Sequence, residues 1–120
     1  MLGKILLLEN DIHVEYIVKR ILEDDGFFVL TTTYTCILQD AATSQPDLVI
    51  LSPRLRSCLE ITTLCENLRF GSKTEELQIL FLSARYNLED FATQCNASAY
   101  ISKPFYIDDL CNTVKDILSL

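Results

Sequence analysis

Hydrophobic residues in this chain form short continuous runs, and in the segments between the runs they recur about every three or four positions. Runs that are apolar without alternation are typical of strands covered on both faces of a parallel sheet. Together with their polar flanks, the runs predict five strands, at residues 4–8, 27–31, 47–51, 77–82 and 99–102.

The segments between the runs predict helices. Two of them carry a regular hydrophobic face, formed by Val14, Ile17, Val18, Ile21 and Leu22 in the first and by Ile107, Leu110, Cys111, Val114, Ile117 and Leu118 in the last. Asp11 is placed to cap the first of these helices and Gly26 to end it. Weaker helical patterns cover residues 34–44, 61–70 and 88–95.

Strands and helices therefore alternate along the whole chain. This alternation predicts an α/β fold with an open, doubly wound parallel sheet and right-handed crossovers. Ligands of such sheets bind beyond the carboxyl ends of the strands, at the point where the strand order reverses. The residues at those ends are Glu9, Asn10 and Asp11; Ser52, Pro53 and Arg54; Ser83 and Ala84; and Lys103, Pro104 and Phe105.

Length and composition fit one globular domain over residues 1–120, because 49% of the residues are hydrophobic and 22% are charged. The apolar runs are far shorter than the roughly 20 residues that cross a bilayer, and the amino terminus does not resemble a signal peptide. We therefore expect a cytoplasmic protein without membrane contact. The net charge of −7 argues against direct binding to nucleic acid, since phosphate backbones attract clustered Lys and Arg.

The cysteines argue against a metal centre or a disulfide framework. There are five of them with no C-x-x-C pair, and an odd number does not suit a fully paired secreted set. They are Cys36, Cys58, Cys65, Cys95 and Cys111. We expect small apolar side chains and a few half-exposed thiols in a reducing compartment.

The polar residues at the predicted strand ends suit a divalent cation and a phosphoryl group. Mg²⁺ takes oxygen ligands, and a lysine serves as a point charge for phosphate. Neither G-x-x-x-x-G-K nor G-x-G-x-x-G occurs, which argues against a nucleotide-binding loop. The one histidine, His13, is expected on the surface of the first helix, and no nucleophile–base pair is visible. We therefore expect no enzyme activity.

Four segments resemble, in order and spacing, the receiver (CheY-like) domains of response regulators from bacterial two-component systems. They are KILLLEND at residues 4–11, PDLVIL at 46–51, ILFLSA at 79–84 and ASAYISKPF at 97–105. The resemblance extends from about residue 4 to residue 118. It implies a flavodoxin-like (βα)5 fold with strand order 2-1-3-4-5 and a role in signal transduction.

The resemblance also implies roles for individual residues. In such receivers an acidic pair holds Mg²⁺, and an aspartate that ends the third strand takes a phosphoryl group from a histidine kinase. A hydroxyl and a lysine contact that group, and an aromatic residue on the fifth strand shifts with the switch. Glu9 takes the first acidic position, Ser83 that of the hydroxyl, Lys103 that of the lysine and Tyr100 that of the aromatic residue. The Lys103–Pro104 bond is expected to be cis.

Two positions depart from the family pattern. Ser52 stands at the phosphoacceptor position and Asn10 at that of the second acid, while Asp11 is expected to cap a helix. The loop at residues 53–58 also lacks the usual proline-then-glycine pattern. A serine hydroxyl must lose a proton before it attacks phosphorus, whereas a carboxylate is already ionised. We expect no cofactor: the degenerate magnesium site formed by Glu9, Asn10 and Ser52 should bind Mg²⁺ weakly or not at all.

These departures favour an atypical receiver that acts without phosphorylation, as a protein-interaction or dimerisation module. In the family, the face made by the fourth helix, fifth strand and fifth helix commonly binds partners. Here that face would include Tyr86, Leu88, Phe91, Tyr100, Phe105 and Tyr106, and core packing would also explain about half of them. Tyr100 and Phe105 are the expected switch or interface aromatics.

Other functions remain open from the sequence alone. One is a ligand- or redox-gated regulator that senses a small molecule, either in the phosphorylation pocket left without its aspartate or through the cysteines. Another is a receiver that is still phosphorylated at Ser52 or at another acid. A third interpretation is purely structural: Lys103 would pair with Glu9, and Ser83 would cap a turn.

Overall fold

The computed structural model describes residues 2–52, 56–70, 77–84 and 87–120. Strands and helices alternate through these ranges, which confirms the predicted pattern. The elements are β1 (Lys4–Leu8), α1 (Ile12–Asp24), β2 (Phe28–Thr31), α2 (Ile37–Ser44), β3 (Leu48–Leu51), α3 (Cys58–Phe70), β4 (Gln78–Ser83), α4 (Leu88–Gln94), β5 (Ala99–Ser102) and α5 (Ile107–Ile117).

The described strands form one parallel sheet in the order β2-β1-β3-β4-β5, as the family resemblance implies. The inner strands β1, β3 and β4 are buried almost throughout, because helices cover both of their faces. The edge strands β2 and β5 are more exposed. Since all strands run the same way, their carboxyl ends lie at the same edge of the sheet.

Two hydrophobic layers hold the helices against the sheet. Val49 and Phe81 point into the layer covered by α2, α3 and α4, whereas Ile50 and Leu80 point into the layer covered by α1 and α5. Successive strand residues face opposite sides of a sheet, so a continuous apolar run fills both layers. In the described part of the chain, no helix combines the length and the hydropathy needed to span a membrane.

Two helices begin elsewhere than the sequence pattern predicts. α2 begins at Ile37 and not at residue 34, and α3 begins at Cys58 and not at residue 61. For α3 the cause is a capping box, in which the Glu60 N–H donates to Ser57 Oγ at 3.1 Å and the Ser57 N–H donates to the Glu60 carboxylate at 3.2 Å. This motif is readable as S-x-x-E and satisfies backbone donors at the helix start.

Candidate functional site

The carboxyl ends of four neighbouring strands bring Glu9, Ser52, Ser83 and Lys103 to one edge of the sheet. Backbone hydrogen bonds hold two of these positions: the Ser52 N–H donates to the Leu8 carbonyl at 2.9 Å, and the Lys103 N–H donates to the Ser83 carbonyl at 3.0 Å. Ser52 is one position beyond β3 and therefore lies opposite Glu9. Glu9, Ser52 and Ser83 are all buried. The strand ends thus assemble the polar set that the sequence predicts.

A buried ion pair joins the ends of β1 and β5. The Lys103 ammonium contacts Oε1 of Glu9, although the two residues are 94 positions apart in the sequence. The Glu9 side chain is 1% exposed and the Lys103 side chain is 17% exposed. The Lys103–Pro104 peptide bond is cis, as expected from the family. The pairing offsets part of the cost of removing both charges from water, as the structural interpretation of these residues requires.

Two buried oxygen atoms at this edge have no hydrogen-bond partner within the described residues: Ser52 Oγ and Glu9 Oε2. The Ser52 residue is only 4% exposed. Its hydroxyl is uncharged, and no described carboxylate or imidazole is hydrogen-bonded to it to accept its proton. A hydroxyl without such a base is a weak nucleophile.

The two polar residues that follow Glu9 do not add a second buried carboxylate. Asn10 is exposed. The Asp11 side chain accepts hydrogen bonds from the His13 N–H at 2.9 Å and the Val14 N–H at 3.3 Å, which confirms that it caps α1. These backbone hydrogen bonds hold the pKa of Asp11 below its ordinary value of 3.8. The Asp11 carboxylate therefore serves as the cap of α1.

Arg56 links the loops that follow β2 and β3. Its guanidinium lies 3.7 Å from the centre of the Tyr34 ring, and its Nη1 is 3.4 Å from Oε2 of Glu60. Hydrogen bonds from the Ser57 backbone N–H and hydroxyl hold the pKa of Glu60 below its ordinary value. No pattern in the sequence predicts the contact between Arg56 and Tyr34. The predicted site residues Pro53 and Arg54 lie outside the described residues.

The described residues at this edge supply fewer carboxylates than the magnesium centre that the family implies. Mg²⁺ requires near-octahedral oxygen ligands, of which one or two are usually protein carboxylates. Here Glu9 already contacts the Lys103 ammonium, and Asp11 caps α1. The remaining positions, Asn10 and Ser52, carry an amide and a hydroxyl. In the ranges that the structure describes, no three His, Cys, Asp or Glu side chains converge as metal ligands.

The aromatic-rich set expected on the α4-β5-α5 face divides into buried and exposed members. Leu88 and Phe91 are 2% and 1% exposed and belong to the core, which removes them from that face. Phe105 is half-buried against the layer covered by α1 and α5. Tyr100 and Tyr106 are 41% and 80% exposed and remain accessible. Tyr86 lies outside the described residues.

Comparison with known proteins identifies the family. Residues 5–115 match the model of the response regulator receiver domain. The chain belongs to this family. Over 118 residues it is 27% identical to the DNA-binding dual master transcriptional regulator RpaA of Synechocystis, a match that covers 96% of this chain and 48% of that protein. This receiver therefore spans about half the length of its curated relative.

Solved structures show the same fold. CheY4, a chemotaxis protein of Vibrio cholerae, is 20% identical with a TM-score of 0.83, and the match covers 96% of this chain and 98% of that one. A response regulator receiver protein from Burkholderia phymatum is 22% identical with a TM-score of 0.80, and the match covers 98% of this chain and 95% of that one. At these identities the likeness concerns the fold alone. Family membership makes this chain a response-regulator receiver domain of signal transduction.

Proposed function

We propose that this receiver works without phosphorylation, as a module that binds a second copy of itself or another signalling protein. The observation that carries the proposal is Ser52, a buried, uncharged hydroxyl that stands at the end of β3 opposite Glu9. Receivers of this family interact with histidine kinases and effector domains. In this chain such contacts would form without transfer of a phosphoryl group, and the domain would have no enzyme activity of its own.

The charges around Ser52 support the proposal. Transfer to an aspartate uses a carboxylate that is already ionised and a magnesium ion that shields its approach to phosphorus. Ser52 supplies no such carboxylate, and the Lys103 ammonium balances the negative charge of Glu9. We therefore propose that Mg²⁺ binding is weak or lost, and that the ion pair holds the strand ends together in place of the metal and the phosphoryl group.

The exposed aromatic side chains of β5 and of the segment before α5 support an interaction surface on the α4-β5-α5 face. Tyr100 is 41% exposed, Tyr106 is 80% exposed and the adjacent Ile107 is 58% exposed. Tyrosine is enriched at protein interfaces because its ring buries apolar area while its hydroxyl keeps a hydrogen bond. The net charge of −7 makes a phosphate backbone an unfavourable partner, so we propose protein rather than nucleic acid or membrane as the ligand.

The proposal that the chain takes up no phosphoryl group is tested with acetyl phosphate and Mg²⁺. We expect the intact mass to stay unchanged, while an aspartate-bearing receiver treated in parallel gains about 80 Da, the mass of one phosphoryl group. An adduct of that mass on the native chain, mapped to Ser52 or to any carboxylate, would overturn the proposal.

The proposed interaction surface on the α4-β5-α5 face is tested by sedimentation equilibrium of the native chain and of Tyr100→Ala. We expect self-association that acetyl phosphate does not alter and that Tyr100→Ala weakens about tenfold or more. Tyr16→Ala is the matched control, because Tyr16 is 65% exposed on α1, away from this face. Equal effects of the two substitutions, or a strictly monomeric chain from which no partner co-purifies, would contradict the proposed surface.

A further inference from the structure

Two buried cysteines lie in the hydrophobic layer under α3 and α4. Cys65 belongs to α3 and Cys95 directly follows α4, and the two residues are 1% and 4% exposed. Both belong to the same cluster of buried side chains. They lie away from the polar edge of the sheet and play no part in the function proposed above.

Residues on either side of Cys65 contact Cys95 and hold it against the same face of α3. The Thr62 hydroxyl lies 3.6 Å from Sγ of Cys95, and Arg69 Nη1 donates to the Cys95 carbonyl at 2.8 Å. Thr62 and Arg69 are three and four positions from Cys65, so all three side chains lie on one face of α3. A second hydrogen bond, from Arg69 to the Asn96 carbonyl at 2.6 Å, fixes the end of α4 in this place.

The ionisation of Cys65 reflects the same proximity. Burial, followed by the nearby Cys95 thiol, raises the pKa of Cys65 to about 12, with the Arg69 guanidinium acting in the opposite direction. Among the other cysteines, Cys36 and Cys58 are exposed and Cys111 is half-buried in α5.

We propose that Cys65 and Cys95 form a reversible disulfide site that links α3 to the carboxyl end of α4. With a small organic disulfide as oxidant, one cysteine thiolate attacks the reagent, forms a mixed disulfide and releases one thiol. The second cysteine then displaces the other half of the reagent and closes the bond between the two Sγ atoms. In total two S–H bonds break and one S–S bond forms, while two electrons and two protons pass to the reagent, which leaves as two thiols.

The bond would restrain the helix that forms one side of the proposed interaction face. It closes a loop of about 30 residues in the unfolded chain, which stabilises the folded state by lowering the entropy of the unfolded one. Oxidation should therefore raise the melting temperature and slow amide exchange in α4. This inference does not depend on the proposed function, because an ordinary phosphorylated receiver could carry the same pair.

The experiment uses a variant with Cys36→Ser, Cys58→Ser and Cys111→Ser, in which both buried cysteines stay native. Circular dichroism first establishes that it folds. Diamide, an azo compound that takes two electrons and two protons from a pair of thiols, is then added to the folded protein. We expect a mass loss of about 2 Da, reversed by dithiothreitol, and a peptide that links Cys65 to Cys95.

Two samples make the outcome decisive. The same variant with Cys95→Ser added should keep its full mass, and the variant unfolded in guanidinium should oxidise, which shows that the reagent is competent. If the folded variant keeps two free thiols while its unfolded form is crosslinked, the disulfide site is refuted. A crosslink between two molecules rather than within one refutes it as well.

Discussion

At the scale of single residues, the Glu9–Lys103 ion pair holds together the polar site at the strand ends. Its carboxylate is 1% exposed and its lysine 17% exposed, so water supplies little of the solvation that either charge needs. Desolvation and Coulomb attraction largely offset each other in such a pair, and the main penalty appears when one partner is removed. The pair is therefore expected to contribute more to the geometry of the pocket than to net stability.

Glu9→Gln should lower the free energy of unfolding by about 3–5 kcal/mol, because it leaves the Lys103 ammonium buried without a counter-charge. The double variant Glu9→Gln with Lys103→Met should recover most of this loss. Urea denaturation of the single and double variants measures both quantities. Asp24→Asn provides the control, since it removes the exposed Arg20–Asp24 pair, which is worth about 1 kcal/mol or less. Similar losses for Glu9→Gln and Asp24→Asn would contradict the expectation.

At the scale of elements, α1 shows how local signals define a helix. Asp11 caps its amino end, and Gly26 follows its carboxyl end with a φ of 102°, a conformation that favours glycine. Val18 and Leu22 bury the inner face against the sheet. Both ends lie where the sequence predicts them, because caps and turns depend on neighbours within a few residues.

Asp11→Ala should lower the melting temperature at neutral pH by several degrees, because two backbone N–H groups of α1 lose their acceptor. The pKa of Asp11 is lowered in the folded state, so its stabilising effect is complete above the ordinary value of 3.8 and is lost as the pH falls through the folded value. Thermal melts of both proteins from pH 7 to pH 2.5 should therefore converge towards acid.

Asp11→Asn is the matched control for this prediction. Its amide oxygen keeps an acceptor at the cap but does not titrate in this range. Its difference from the native protein at neutral pH should be smaller than that of Asp11→Ala. A deficit of Asp11→Ala that is equally large at pH 7 and at pH 2.5 would show that the charge of the carboxylate plays no part.

At the scale of the whole molecule, the sheet has the strand order expected of a receiver domain. The proposed loss of phosphorylation concerns the side chains near the ends of β1 and β3, where Asn10 and Ser52 stand at the positions that the resemblance assigns to acids. The fold depends on the buried layers, which the two departures at Ser52 and Asn10 leave intact. Phosphoryl chemistry depends on those two side chains.

The double variant Ser52→Asp with Asn10→Asp should regain magnesium binding in the millimolar range and phosphoryl uptake. Without metal it should melt at a lower temperature than the native chain, because a new buried carboxylate faces Glu9, and added Mg²⁺ should restore the melting temperature. Acetyl phosphate with Mg²⁺ should then add about 80 Da, as measured by intact mass. Ser52→Asn with Asn10→Asp is the control without the acceptor charge and should gain nothing. A double variant that binds no magnesium would contradict the expectation that these two side chains account for the loss.

Much of the fold and part of the site could be predicted from the sequence. Local periodicity was enough to predict the strands and helices. Because the carboxyl ends of parallel strands lie at one edge of a sheet, the sequence also predicted that Glu9, Ser52, Ser83 and Lys103 lie there. The start of α3 was missed although the Ser57–Glu60 capping box is a local signal. The sequence could not show which residues of the α4-β5-α5 face are exposed and which are buried, because burial depends on how a whole helix packs.

By itself the sequence determined the alternation of strands and helices, the cap of α1 and the chemical identity of each side chain at the strand ends, including the hydroxyl of Ser52. Only the tertiary structure decided which distant side chains meet. It paired Glu9 with Lys103, buried Leu88 and Phe91, and placed Cys95 against the face of α3 that carries Thr62 and Cys65. Periodicity and capping act over a few residues, whereas these contacts join positions that only the packed sheet and helices bring into contact.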